Sequence, residues 1–233
     1  KDVTDNSVLE KLDRARDLIR RNHFSGALVV LETIFSSSST VDAEYYNLKA
    51  VCHASLNQMM EASQCFQDAI RRYPNDTRLQ ANFLRFSYQI GAYDTVISLA
   101  TRFSSNDLGE VLLDLIIDSF VRSEKPHEGL EFLDLLSKED RGWLDRIRIL
   151  QSKLFRSSGL LDEARHALDS VSVHDVSFMS EMADCLRAER KFNQARAFCE
   201  TALCLDETNS NLAYKKAILL LDESKVRDAK VVF

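Results

Sequence analysis

The sequence predicts an all-α protein made of repeated helical hairpins. Three observations carry that prediction. Apolar residues recur at steps of three and four along almost the whole chain, the spacing that places them on one helix face. Only 2 prolines and 6 glycines occur in 233 residues, too little punctuation for a turn-dense β fold. One pattern also returns about every 34 positions: a compact residue with a larger one three before it and another four after it.

The units follow in order. The first opens near Val8, with Ala27 as its compact anchor between Phe24 and Leu31, and the serine-rich "FSSSST" as the loop that leaves it. The second, residues 43–76, is the clearest. Here "AEYYNLKAVCHASLN" is one helical pattern, "NQ" the turn, and "EASQCFQDAIRRY" a helix with Ala62, Phe66, Ala69 and Tyr73 on one face. Pro74 stops that helix, because proline lacks an N–H and clashes with the preceding turn. The third starts near 77 and is anchored at Val96 in "GAYDTVISLA". The fourth starts near 110 and departs most from the pattern, with Pro126 and Gly129 in "EKPHEGLEFL". The fifth starts near 145 around Ala164, and the sixth near 176 around Ala195 in "KFNQARAFCETALCLDETN". The seventh starts near 210, is anchored at Ala229, and stops at Phe233 inside its second helix.

The anchors stand 35, 34, 33, 35, 31 and 34 residues apart. Twelve positions before them are Ala15, Ala50, Leu84, Ile117, Ser152, Ala183 and Ala217. Compact side chains let two antiparallel helices approach, and the larger neighbours fill the space around the crossing.

This pattern resembles the tetratricopeptide repeat family, whose unit is a 34-residue helix–turn–helix. The likeness covers about residues 8–233 and implies an α-solenoid, a right-handed superhelix of about seven units forming one array over residues 1–233. The pentatricopeptide class, which reads single-stranded RNA, fits less well, because the net charge is −6 and the spacing varies. Solenoids with about 36 to 47 residues per unit fit the period less well too. The unfinished last unit leads us to expect that the parent protein continues, or that a second copy packs on this end. The chain begins at Lys1 rather than Met, as an excised or processed piece would.

Composition narrows the function. An acidic balance lacks the basic footprint of a nucleic-acid binder. No apolar run reaches the roughly 18 to 20 residues that a membrane span needs. The five cysteines include no C-x-x-C pair and are read as small core hydrophobes, which favours a reducing, cytoplasmic setting. His53 is read as a core residue, and His166 and His174 lack a cysteine at zinc spacing, so no metal or other cofactor is expected. There is no glycine-rich phosphate loop and no G-x-S-x-G elbow, so no catalytic residue is assigned.

The resemblance implies that first helices line a concave groove that holds an extended peptide. Positions 18, 15, 11, 8 and 7 before each anchor would face it. They carry nine basic residues: Arg16, Arg20, Arg78, Arg85, Arg122, Arg146, Lys153, Arg156 and Arg187. They carry five acidic ones: Glu44, Asp114, Asp118, Asp184 and Asp222. Simple proportion would give about 4.5 and 5.4. A concave surface of one sign steers an oppositely charged partner, and the arginine fork suits carboxylates. Tyr88 and Tyr214 add flat apolar surface. One reading is therefore a groove for an acidic or carboxylate-terminated segment. The competing reading is a solvated helix face whose arginines are paired internally, by Asp114 and Asp118. The lysine–asparagine clamp of heat-shock co-chaperones is absent, since Leu12, Arg16, Asn47 and Val51 stand at those positions. The expected role is a non-catalytic interaction scaffold or adaptor in complex assembly. The alternative is an accessory segment of a larger multidomain protein, such as a transferase or assembly factor.

Overall fold

The computed structural model describes residues 2–37, 42–104, 107–139 and 141–223. Among them are thirteen α-helices and no strand. The helices are α1 (Asp2–Arg20), α2 (Phe24–Ser37), α3 (Ala43–Ser55), α4 (Met59–Arg72), α5 (Thr77–Gln89), α6 (Tyr93–Ala100), α7 (Glu110–Arg122), α8 (Pro126–Glu139), α9 (Leu144–Ser157), α10 (Leu161–Asp169), α11 (Val176–Ala188), α12 (Phe192–Leu205) and α13 (Ser210–Asp222). The chain divides into two compact units, Lys1–Ser119 and Phe120–Phe233. In the first, α1 packs on α2, α3 on α4 and α5 on α6. In the second, α8 packs on α9, α9 on α10, α11 on α12 and α12 on α13.

The hairpin turns are built alike. The residue five before each of the first six anchors has positive φ: Asn22 (59°), Asn57 (61°), Gly91 (76°), Glu124 (57°), Gly159 (77°) and Arg190 (63°). The next residue donates its N–H back five positions, as in Gln58 to the His53 carbonyl (2.9 Å), Ala92 to Ser87 (2.8 Å) and Lys191 to Leu186 (2.8 Å). That is the bond pattern of a Schellman C-cap, which satisfies the carbonyls left open where a helix ends. The helices that follow, α4, α6, α10 and α12, carry no side-chain cap hydrogen bond. At the other end of the hairpins, Asp42, Asp76, Asp175 and Asn209 cap α3, α5, α11 and α13 by accepting from the third helical amide.

The repeat pattern maps onto the core. Ala27, Ala62, Val96, Ala164 and Ala195 are all 0% exposed. The residues four after the anchors and twelve before them, where described, are at most 1% exposed. The seventh anchor group, Val226, Ala229 and Phe233, lies outside the described residues. In the first unit Phe66 stacks on Phe83 with centroids 5.3 Å apart and meets Phe86 at 5.4 Å. Burying a ring this size contributes about 2–3 kcal/mol. In the second unit Ala164, Leu168, Met182, Ala183, Cys185, Ala195, Cys199 and Leu219 belong to one core cluster.

Several expectations need correction. The residues three before the first six anchors each open a second helix and are only partly buried. Met59 is 38% exposed, and Phe24, Tyr93, Leu161 and Phe192 are half-buried. Cys52, Cys185 and Cys199 are buried, and burial pushes each thiol up to about 11. Cys65 is only half-buried and Cys204 is exposed. Cys204 stands five places from Cys199, which turns it well off that face. His53 is half-buried rather than core, with its Nδ1 2.7 Å from Gln58 Oε1. Of "FSSSST", Phe35 and the two residues after it belong to α2, and the rest lies outside the described residues.

Candidate functional site

The first helices of successive hairpins are joined by polar side chains. In the first unit, Glu44 opens α3 and sits between two arginines, each one repeat away from it. Arg16 Nε on α1 donates to its Oε1 at 2.7 Å, and Arg78 Nη2 on α5 donates to its Oε2 at 2.5 Å. The Arg16 bond holds the Glu44 carboxyl below its ordinary value; partial burial opposes that and Arg78 adds to it. The Glu44 bond in turn raises Arg16, which also pairs with Asp13 on its own helix. A neutral ladder continues the row. Asn82 Nδ2 donates to Asn47 Oδ1 at 2.9 Å, and Arg85 Nη1 to Asn82 Oδ1 at 3.2 Å. The Tyr88 hydroxyl donates to Asp118 Oδ2 at 2.7 Å. Arg20 stays on its own helix, 3.3 Å from Asp17.

The second unit repeats the device more deeply. Arg156 on α9 holds both oxygens of Glu181 on α11, a residue only 6% exposed. Burial pushes the Glu181 carboxyl up and the two guanidinium bonds pull it back, with the net direction upward. Burial also lowers Arg156, but the Glu181 bonds and charge outweigh it and the guanidinium is raised. Asp184 lies 3.6 Å from Arg156 and accepts from Lys215 Nζ on α13 at 2.6 Å. Arg187 Nε donates to Asp222 Oδ2 at 2.7 Å. Beside these pairs opens a polar cleft of about 400 Å³, lined by Arg156, Asp184, Arg187, Arg190, Phe192 and Asp222. Arg146 and Lys153 are half-buried on α9, and Arg122 is exposed at the end of α7.

Solved structures share this arrangement of hairpins. The C-terminal part of a tetratricopeptide repeat-containing protein from Cytophaga hutchinsonii matches with a TM-score of 0.58 at 11% identity, over 89% of this chain and 87% of that one. A tetratricopeptide repeat protein from Parabacteroides merdae matches with a TM-score of 0.56 at 10% identity, over 91% and 84%. The chain has the tetratricopeptide-repeat fold. A chain of the APC/C hetero-tetramer Cut9–Hcn1 also matches, with a TM-score of 0.51 at 11% identity, over 93% of this chain and 40% of that one. At the sequence level no family model and no curated protein matches.

Within this tetratricopeptide fold the arginine row divides into two kinds. Arg16, Arg78, Arg156 and Arg187 each meet a carboxylate of the neighbouring first helix. Arg85 meets a neutral amide. Leu12 and Ile149, counted among the groove positions, are buried at 1% and 7% exposure and belong to the core. Sequence reasoning missed Asn82, Glu181 and Lys215. All three stand fourteen before an anchor, a position the groove pattern left out. Polar residues recurring at that one spacing were the available signal. Among the described residues, no three His, Cys, Asp or Glu converge as metal ligands, and no helix is long and apolar enough to cross a membrane.

Proposed function

We propose that this chain is a non-catalytic scaffold that holds an extended, acidic protein segment against its first helices. The observation that carries the reading is the cleft beside Arg187 and Arg190. Arg156 is fixed inside by Glu181, whereas Arg187 is exposed at its pair with Asp222 and Arg190 forms no ion pair among the described residues. Two cations at the rim, with Phe192 below, suit a carboxylate followed by an apolar group. In the first unit Arg85 and Tyr88 offer the corresponding contact. The internally paired arginines serve to align successive hairpins, which keeps the face rigid. The five free thiols support a reducing, cytoplasmic setting. A solved neighbour that is part of a hetero-tetramer supports a role in assembly. That neighbour also favours the second reading, an accessory segment of a larger protein, because the match takes less than half of the longer chain.

The test is fluorescence anisotropy with labelled extended peptides, one acidic and one basic. The acidic peptide binds, and Arg187→Glu with Arg190→Glu weakens it by about tenfold or more. Equal binding of both peptides, or an unchanged affinity in the double variant, overturns the reading.

A further inference from the structure

We propose that the cleft between α9 and α10 is a second docking site, which seats a basic amphipathic segment of a protein partner. An apolar side chain of that segment lies over Phe155, and a lysine or arginine lies between Asp162 and Glu163.

The cleft measures about 530 Å³ and opens on the side of α9 formed by Arg148, Gln151 and Phe155. These residues recur at steps of three and four, roughly opposite Lys153 and Arg156, so the site is separate from the arginine row. Its walls are fixed. Arg148 Nη1 lies 3.3 Å from Asp145 and also donates to the Ser170 carbonyl. Gln151 Nε2 donates to Asp134 on α8 at 3.2 Å. The cation in the wall is thus already neutralised from within.

The carboxylates are not. Asp162 and Glu163 are exposed in the first turn of α10 and form no ion pair or side-chain hydrogen bond among the described residues. Phe155 and Ala167 beside them are half-buried and supply an apolar floor. Ala164 and Leu168 hold the other face of α10 in the core at 0% exposure, so this helix cannot turn to hide the cleft. Open anions beside an apolar floor, in a chain of net charge −6, are complementary to a cation carried on an apolar body. The lining residues run along α10 from Asp162 to its C-cap Ser170, about 12 Å at the helical rise. That length fits two turns of a partner helix with an apolar residue and a cation three or four apart.

The test uses the full 233-residue chain and a labelled synthetic helix of about 14 residues with leucine and lysine at i, i+4. Its glutamate counterpart and n-butylamine are the comparison probes. The lysine peptide is expected to bind and to shift the amide resonances of Phe155, Asp162, Glu163 and Ala167. Asp162→Asn with Glu163→Gln weakens it by about tenfold, and Ala167→Lys, which places a cation in the cleft, does the same. Arg187→Glu with Arg190→Glu leaves it unchanged, which separates this site from the first. Circular dichroism of each variant checks that the helices persist. The proposal fails if both peptides bind alike, or if the neutralised variant keeps its affinity. It also fails if the shifts fall on α11 and α13 alone, or if butylamine binds as tightly as the peptide and so marks a small-amine site.

Discussion

Arg156 and Glu181 are joined by two parallel hydrogen bonds, Nε to Oε1 at 2.8 Å and Nη2 to Oε2 at 3.1 Å, between helices one repeat apart. Such a pair fixes how one hairpin sits on the next, yet both charges are taken out of water to do so. Burial costs several kcal/mol per ion, and geometry must offset it.

The upward shift of Glu181 says that its anion is the less comfortable partner. Glu181→Gln keeps one acceptor for the guanidinium, with Asp184 still near, but turns an amide N–H toward the other guanidinium N–H, and is expected to cost about 1–3 kcal/mol. Glu181→Leu strands the buried arginine and is expected to cost about 3–5 kcal/mol. Arg156→Met combined with Glu181→Leu returns to near the parent value. Urea midpoints of the three variants decide it. A glutamine variant as unstable as the leucine one would mean that the charge, and not the acceptor geometry, holds the hairpins together.

Two carboxylates give opposite pH dependence. Glu44 is depressed, so it contributes stability above the ordinary carboxylate range and loses it as pH falls through its lower folded value. Glu181 is raised, so its contribution is full below that range and is lost as pH rises through its higher folded value. Carboxyl carbon shifts followed by NMR should place the Glu44 midpoint below the ordinary glutamate range and the Glu181 midpoint above it. A Glu44 midpoint within or above that range would mean that the arginines do not clamp it.

Much of the fold was legible because packing is periodic. Compact residues at the helix crossings and large ones four later must recur wherever the same hairpin recurs, and Ala62 with Phe66 shows why: one permits approach and the other fills it. The polar face was less legible. Its bonds join residues 25 to 35 positions apart, Arg156 to Glu181 and Arg187 to Asp222 among them, and no local periodicity states which carboxylate meets which arginine. The left-handed turn residues were legible only in part: Gly91 and Gly159 are glycine and Asn22 and Asn57 are asparagine, which tolerates that region, whereas Glu124 and Arg190 adopt the same conformation without the usual signature.

Glu124 holds φ of 57°, where a side chain meets its own carbonyl, at a cost of about 1 kcal/mol or more. Glycine removes the clash but loosens the unfolded chain, so Glu124→Gly is expected to stabilise by about 0.5 kcal/mol, raising Tm by roughly 1–2 °C. Gly91→Ala, at φ of 76° with open space around it, should destabilise by about 1 kcal/mol for backbone reasons alone. Paired thermal scans measure both. Opposite signs would show that the turn is held by something other than its left-handed residue.

Gly129 poses a different question, because its backbone is helical and the space is not open. A Cβ there would lie 3.0 Å from one Leu154 methyl and 3.1 Å from the Phe120 Cβ. Alanine is the better helix former by about 1 kcal/mol, which favours the substitution. Against it stands crowding: Leu154 is buried at 0% exposure, and the Phe120 Cβ is fixed to its own backbone and cannot swing aside. Overpacking of this kind costs about 1–3 kcal/mol, so Gly129→Ala should be destabilising overall, and Gly129→Val more so. Leu154→Val, which shortens the facing side chain, should recover part of the alanine penalty when combined with it. A double-mutant cycle in urea reads the coupling, and additive effects would mean that α8 moves away from α9 rather than pressing on Leu154.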